Sequence, residues 1–279
     1  MNFNEFLATG AKCSHAYVSG IDGVKLFQVH FQPKAPSPYP PVIFIAGWGS
    51  VIDSWKIVLK EMTKDFEVFY LETREKSSSI HSSKQELSIE SLGNDLPYVL
   101  SENNLINKPY TMFGSSLGAT VILDAISKNK LSPTNVILIG PNAEFNIPLI
   151  WLLITRFTPA FFFYLLKPVV KWYMKKKYLD IESDPKQYDK YAHALNEANP
   201  KRLRRSALSF SSYKIWNQLS EIHQSVLIFT GSKDVMHDYD NTLQMAYKLS
   251  NCKLIDMKTN QKTHSIDMVM KMREFLNNN

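Results

Sequence analysis

The chain has 279 residues, of which 44% are hydrophobic and 21% charged. That balance can bury a full core and excludes a disordered, fibrous or low-complexity chain. Two cysteines, Cys13 and Cys252, are too few for a disulfide framework or a metal-ligand cluster. The net charge of +6 could suit anionic partners, yet is small enough to be a solvated basic surface.

The N-terminus, Met1-Asn2-Phe3-Asn4-Glu5, lacks a basic stretch followed by an apolar one, so no secretory signal is read and a cytoplasmic location is expected. Two β-prone runs at 15–19 and 24–31 flank Gly20-Ile21-Asp22-Gly23 and predict a hairpin. A proline-rich connector follows at 33–41. The wholly apolar run at 42–46 predicts a strand buried on both faces. Helix and strand patterns then alternate: helix 55–62, strand 66–71, helix 89–100, strand 110–113, helix 119–127 and strand 135–139. After a long interruption come strand 225–230, helix 241–249, strand 253–257 and helix 266–275. Such alternation implies a mostly parallel sheet with helices on both faces.

The interruption, 142–220, is helical in character, aromatic in its first half and basic in its second. It reads as a helical cap inserted late in the sheet, dividing the core into 1–141 and 221–279. Residues 147–166 are nearly all apolar, with Trp151, Leu152, Leu153, Phe157, Phe161, Phe162, Phe163 and Tyr164 prominent. A membrane span of that length is conceivable on hydropathy. Arg156, Pro148 and Pro159 interrupt the run, and a span here would separate residues on either side of it that the chemistry below needs together. Lys167, Lys171 and Lys175 recur every four residues, making a basic stripe, with Lys176, Lys177, Lys201, Arg202, Arg204 and Arg205 nearby. Beside apolar and aromatic residues this fits a membrane surface, an acidic carrier protein, or a cap packed on its own domain with wet lysines. No nucleic-acid motif accompanies the charge, so nucleic acid is not expected.

The chemistry centres on Gly114-Ser115-Ser116-Leu117-Gly118, which follows the predicted strand and precedes a predicted helix. In this G-x-S-x-G turn the middle residue takes a strained conformation that the flanking glycines permit, and its hydroxyl stands above the helix N-terminus. The plainer alternative is a βα-turn whose serine caps the helix. On these residues the chain resembles the α/β-hydrolase superfamily over nearly its whole length. The resemblance implies a Ser-Asp-His triad in that chain order. It places the acid at Asp234, in Gly231-Ser232-Lys233-Asp234 after a strand, with Asp238 and Asp240 as competitors. It places the histidine at His264, before the last helix. His237 lies in the acid's own loop and is not expected to partner it. The resemblance further implies an oxyanion hole from the backbone N–H groups of Leu117 and Trp48.

Two departures stand out. The family's usual His-Gly is here Ala46-Gly47, which leaves that loop's supporting hydrogen bonds in question. The usual Asp-x-x-Gly-x-Gly-x-Ser is here Glu72-Thr73-Arg74-Glu75-Lys76-Ser77-Ser78-Ser79, without glycines and more charged. Gly47-Trp48-Gly49 with Trp55 is also locally similar to a loop of the esterase that cleaves the methyl ester of pimeloyl-carrier protein. The expected function is hydrolysis of an ester or thioester with an apolar, lipid-like acyl group through an acyl-enzyme, with no metal or organic cofactor. A C–C bond hydrolase or lyase on the same triad, and a non-catalytic ligand-binding protein on the same scaffold, are the alternatives.

Overall fold

The structure is a computed structural model that describes residues 3–145, 147–159, 162–177, 185–234 and 237–278. Phe161 lies outside the described residues, as do the side chains of Trp151, Tyr164 and Lys177.

The hairpin forms from β1 (Lys12–Ser19) and β2 (Lys25–Gln32), paired antiparallel from Lys12 against Gln32 to Ser19 against Lys25. Asp22 (φ 58°) and Gly23 (φ 75°) supply the left-handed turn between them. The remaining strands are β3 (Val42–Ile45), β4 (Val68–Leu71), β5 (Thr111–Ser115), β6 (Asn135–Ile139), β7 (Ser225–Thr230) and β8 (Cys252–Asp256). All eight form one sheet in the order β1-β2-β4-β3-β5-β6-β7-β8. From β4 to β8 every neighbouring pair is parallel, and β2 joins β4 antiparallel.

Every residue of β3 to β6 is buried, because helices cover both faces. On one face Ile43, Ile45 and Met112 pack against α2 (Ile89–Glu102) and α3 (Leu117–Ser127). On the other, Val42, Phe44 and Phe113 pack against α1 (Lys56–Met62) and the terminal helix α10 (Ile266–Asn277). The period-2 alternation of side chains thus divides one continuous apolar run between two cores.

Between β6 and β7 the described chain forms α4 (Leu149–Phe157), α5 (Phe163–Lys177), α6 (Pro185–Glu197) and α7 (Pro200–Phe210). The excursion leaves and returns at one place: the Ile215 amide donates to the Ala143 carbonyl at 2.9 Å, and Glu144 bridges to Lys214. Among the described residues no helix is long and apolar enough to cross a membrane. The last part of the sheet is completed by α8 (Tyr239–Lys248) and a single turn, α9 (Asn260–Thr263).

Candidate active site

The parallel strands point their C-terminal ends at one edge, and the expected residues gather there. Ser116 sits between β5 and α3 with φ 49° and ψ −113°, a conformation costly for a residue with a Cβ. Its side chain makes no helix-capping bond, so the plainer reading of this serine as a cap does not hold. The surrounding glycines show why the turn survives. A Cβ on Gly114 would lie 2.7 Å from the Ala119 nitrogen, and one on Gly118 would overlap the Ile45 carbonyl oxygen. The turn is held from below by the Ser116 amide, which donates to the Ile139 carbonyl at 2.9 Å.

Ser116 opens into a cavity of about 870 Å³ that Trp48, Asp234, His237, Asn260 and His264 also line. The serine hydroxyl accepts a hydrogen bond from the Asn142 side-chain amide at 3.2 Å. His264 presses its ring against buried Trp55, with centroids 4.4 Å apart. Its Nδ1 lies 2.9 Å from the Asn260 carbonyl oxygen and 3.0 Å from the Thr263 hydroxyl. A carbonyl can only accept, so Nδ1 carries the proton in this hydrogen bond.

Asp234 meets a partner that the order along the chain did not suggest. Its carboxylate accepts from His237 Nδ1 at 2.8 Å and from the Asn260 side-chain amide at 2.9 Å. The expectation that His237 could not pair with the acid of its own loop is therefore corrected. The loop turns through an Asp234 amide to Gly231 carbonyl bond of 2.9 Å, and the two side chains come back together three residues apart. Gly140 (φ 50°) leaves room for the imidazole: a Cβ there would stand 2.9 Å from His237 Cγ. That glycine, just past β6, is the sequence signal for a packed ring. Asn260 touches both halves of the site, Asp234 through its side chain and His264 through its carbonyl. Of the competing acids, Asp238 caps α8 by accepting from the Asn241 amide at 3.0 Å, and Asp240 lies in that helix's first turn.

The loop after β3 lies against Ser116. A Cβ on Gly47 would be 3.3 Å from Ser116 Cβ. Among the described residues, neither the Trp48 nor the Leu117 N–H donates to a protein acceptor. The Trp48 indole donates to the Ser206 hydroxyl on α7 at 2.8 Å. The missing supports of this loop come from an unexpected direction. Lys76, almost fully buried, donates from Nζ to the Gly47 carbonyl at 2.6 Å and to the Ser50 carbonyl at 2.5 Å. The glycine-free 72–79 loop is itself pinned by a buried bidentate pair, Arg74 Nε and Nη2 on Asp95 at 2.7 and 2.5 Å. Burial outweighs Arg74 here and pushes the Asp95 carboxyl above its usual range. The Arg202 guanidinium on α7 donates to the Lys76 carbonyl and, at 2.7 Å, to that of Ser79.

Comparison with known proteins gives the fold a family. A family model described as serine aminopeptidase, S33, matches residues 62–264, well over half the chain. No curated protein matches the sequence, so the local likeness of the Gly47 loop to the pimeloyl esterase finds no counterpart there. Among solved structures, an enol-lactonase from Burkholderia xenovorans superposes with a TM-score of 0.78 at 13% identity, covering 94% of this chain and 100% of that one. A thermophilic esterase from Thermogutta terrifontis gives 0.73 at 15% identity, covering 94% and 99%. An esterase from Exiguobacterium antarcticum gives 0.73 at 13%, covering 94% and 97%. At such identities the likeness establishes the shared fold and leaves substrates to each protein.

Proposed function

Because this chain belongs to the serine aminopeptidase S33 family of α/β-hydrolases, we propose that it is an acyl-serine hydrolase cleaving an ester or thioester whose acyl group is apolar. Ser116 is the nucleophile, His264 its base and Asp234 the supporting acid, with the Trp48 and Leu117 N–H groups holding the oxyanion. The observation that carries the reading is the strained, uncapped Ser116 lining a cavity shared with His264 and Asp234.

The steps follow from ordinary chemistry. A serine hydroxyl is a weak nucleophile until an imidazole accepts its proton. His264 Nε2 takes that proton as Oγ attacks the carbonyl carbon and the carbonyl π electrons move onto oxygen. The negative oxygen is met by two fixed N–H dipoles, which need no reorganisation. When the tetrahedral centre collapses, the leaving group takes the proton from His264. Water, deprotonated by the same nitrogen, then releases the acid and restores Ser116. The far part of the cavity supports an apolar acyl group, since Phe145, Ile154, Phe163, Leu166, Val170 and Met174 line it. We regard the 142–220 segment as the cap that supplies this lining.

p-Nitrophenyl esters of graded length test the proposal. kcat/KM is expected to rise from acetate to octanoate and to vanish in Ser116→Ala. Turnover that ignores chain length removes the acyl-pocket claim, and absence of turnover with every ester favours a C–C hydrolase or a binder.

A further inference from the structure

The helices α4 and α5 line the cavity with one face, through Ile154, Thr155, Phe163, Leu166, Val170 and Met174. A cap that only closed a pocket would turn polar residues outward. These helices do the opposite. On α4 the outward positions are Leu149, Ile150, Leu153 and Phe157, spaced i, i+1, i+4 and i+8, with Phe157 75% exposed. Along α5 and the residue before it they are Phe162, Leu165, Val169 and Trp172, spaced i, i+3, i+7 and i+10. Eight large apolar side chains facing water exceed what scattered surface residues account for. Charge selects the partner. From 145 to 177 there is no acidic residue, against Arg156, Lys167, Lys171, Lys175, Lys176 and Lys177. Lys175 and Lys176 are exposed, and Lys176 sits over the Trp172 ring at 5.2 Å.

We propose that the outward faces of α4 and α5 dock this protein on an anionic lipid surface, lying in the interface with aromatic and aliphatic side chains inserted and lysines on the headgroups. An acidic protein would use the charge and leave the apolar residues in water. A lipid surface uses both. Docking there sets the cavity-lining helices at the source of an apolar acyl substrate, although the surface itself does not depend on the chemistry at Ser116.

Flotation with vesicles containing one part phosphatidylglycerol to three parts phosphatidylcholine tests this. The wild type is expected to float at least about tenfold more than with pure phosphatidylcholine, and less as salt rises. The double variant Phe157→Ser/Trp172→Ser should lose at least about tenfold in binding while hydrolysing a soluble short-chain ester at the wild-type rate. Binding that is absent, or unchanged in the variant, overturns the proposal. So does a dimer in solution that the two substitutions dissociate, or capture by an acidic carrier protein with no vesicle binding.

A second inference stands on Lys76 and rests on the hydrolase reading. The Gly47 carbonyl and the Trp48 N–H belong to one trans peptide plane and point in opposite directions. An ammonium fixed on the carbonyl therefore aims the N–H, and its charge polarises the peptide so that the N–H donates more strongly. The geometry points to Lys76 as the positioning residue of the oxyanion hole, taking up the support that the substitution of Ala46 for the family's histidine left open.

Replacing it by methionine should lower kcat about a hundredfold, the scale of losing one oxyanion donor. KM should stay within about threefold, while affinity for a trifluoromethyl ketone, which forms a tetrahedral adduct, falls in parallel with kcat. A merely structural lysine would lower the unfolding temperature and leave the two affinities in step. If Lys76→Met does not fold because Glu72 is left buried beside it, Glu72→Gln/Lys76→Met removes both charges and is held to the same expectation. Turnover indifferent to Ser116→Ala overturns the nucleophile and Lys76 with it. Ser116-dependent turnover indifferent to loss of Lys76 overturns Lys76 alone.

Discussion

Asp234 and His237 are joined by a hydrogen bond across three residues of a single turn, Oδ2 to Nδ1 at 2.8 Å, with both side chains nearly buried. The carboxylate thus holds the His237 imidazole and is also tied to the His264 side of the site through Asn260. His264→Ala should lower kcat/KM by about 10³-fold, as loss of a general base does. His237→Gln, which keeps a donor near Asp234, should cost no more than about tenfold. Steady-state kinetics on one ester decide between them. The reverse order would make His237 the base.

The glycines of the elbow are fixed by backbone contact, so Gly118→Ala should fail structurally before it fails chemically. The added methyl meets the Ile45 carbonyl, a backbone atom in the middle of the sheet. A loss of about 1–3 kcal/mol or more is expected from overpacking. Urea unfolding measures it, and an unchanged midpoint contradicts the close approach of α3 to β3.

Arg74 and Asp95 are each almost wholly buried and bond in two places. Arg74→Met leaves a buried carboxylate, at a cost of about 3–5 kcal/mol. The pH dependence has a definite sign. Asp95 already has a raised native pKa, and loss of the guanidinium raises it further, so the native state holds a proton that the unfolded chain has released. Stability of the variant must then fall as pH rises from the ordinary carboxylate range through the raised value. Urea titrations should show a smaller penalty at pH 5 than at pH 8.

Burial pushes the Cys252 thiol up to about 12. Its thiolate fraction at pH 8 is then lower than that of a free cysteine by about a thousandfold. Alkylation by iodoacetamide, followed on the Cys252 peptide by mass spectrometry, should be correspondingly slow until denaturant is added. Rapid labelling of the folded protein would show β8 to be open at that position.

The parts of this molecule readable along the chain are those that local chemistry dictates. Strands 135–139 and 225–230 have the expected bounds because short apolar runs in a parallel sheet have little choice of conformation. The serine turn was legible because its glycines stand at fixed spacing between a strand and a helix, although Gly118 answers to Ile45 on a distant strand. Helix α3 begins at Leu117, two residues before the amphipathic pattern starts, because the elbow passes into it directly. What stayed hidden depends on distant backbone. Asn142 reaches Ser116 from the far side of β6, His237 fits only because Gly140 lacks a side chain, and Lys76 crosses to a loop 29 residues away. The loss of glycines from the 72–79 loop was visible, but only the fold shows that Lys76 from this loop braces the loop after β3.

The central claim is that Ser116 is an activated nucleophile, and covalent labelling by a fluorophosphonate probe tests it most directly. One equivalent should attach to the wild type at the Ser116 peptide, and Ser116→Ala, folded to the same circular-dichroism spectrum, should take up none. Equal labelling of the two proteins would contradict the account.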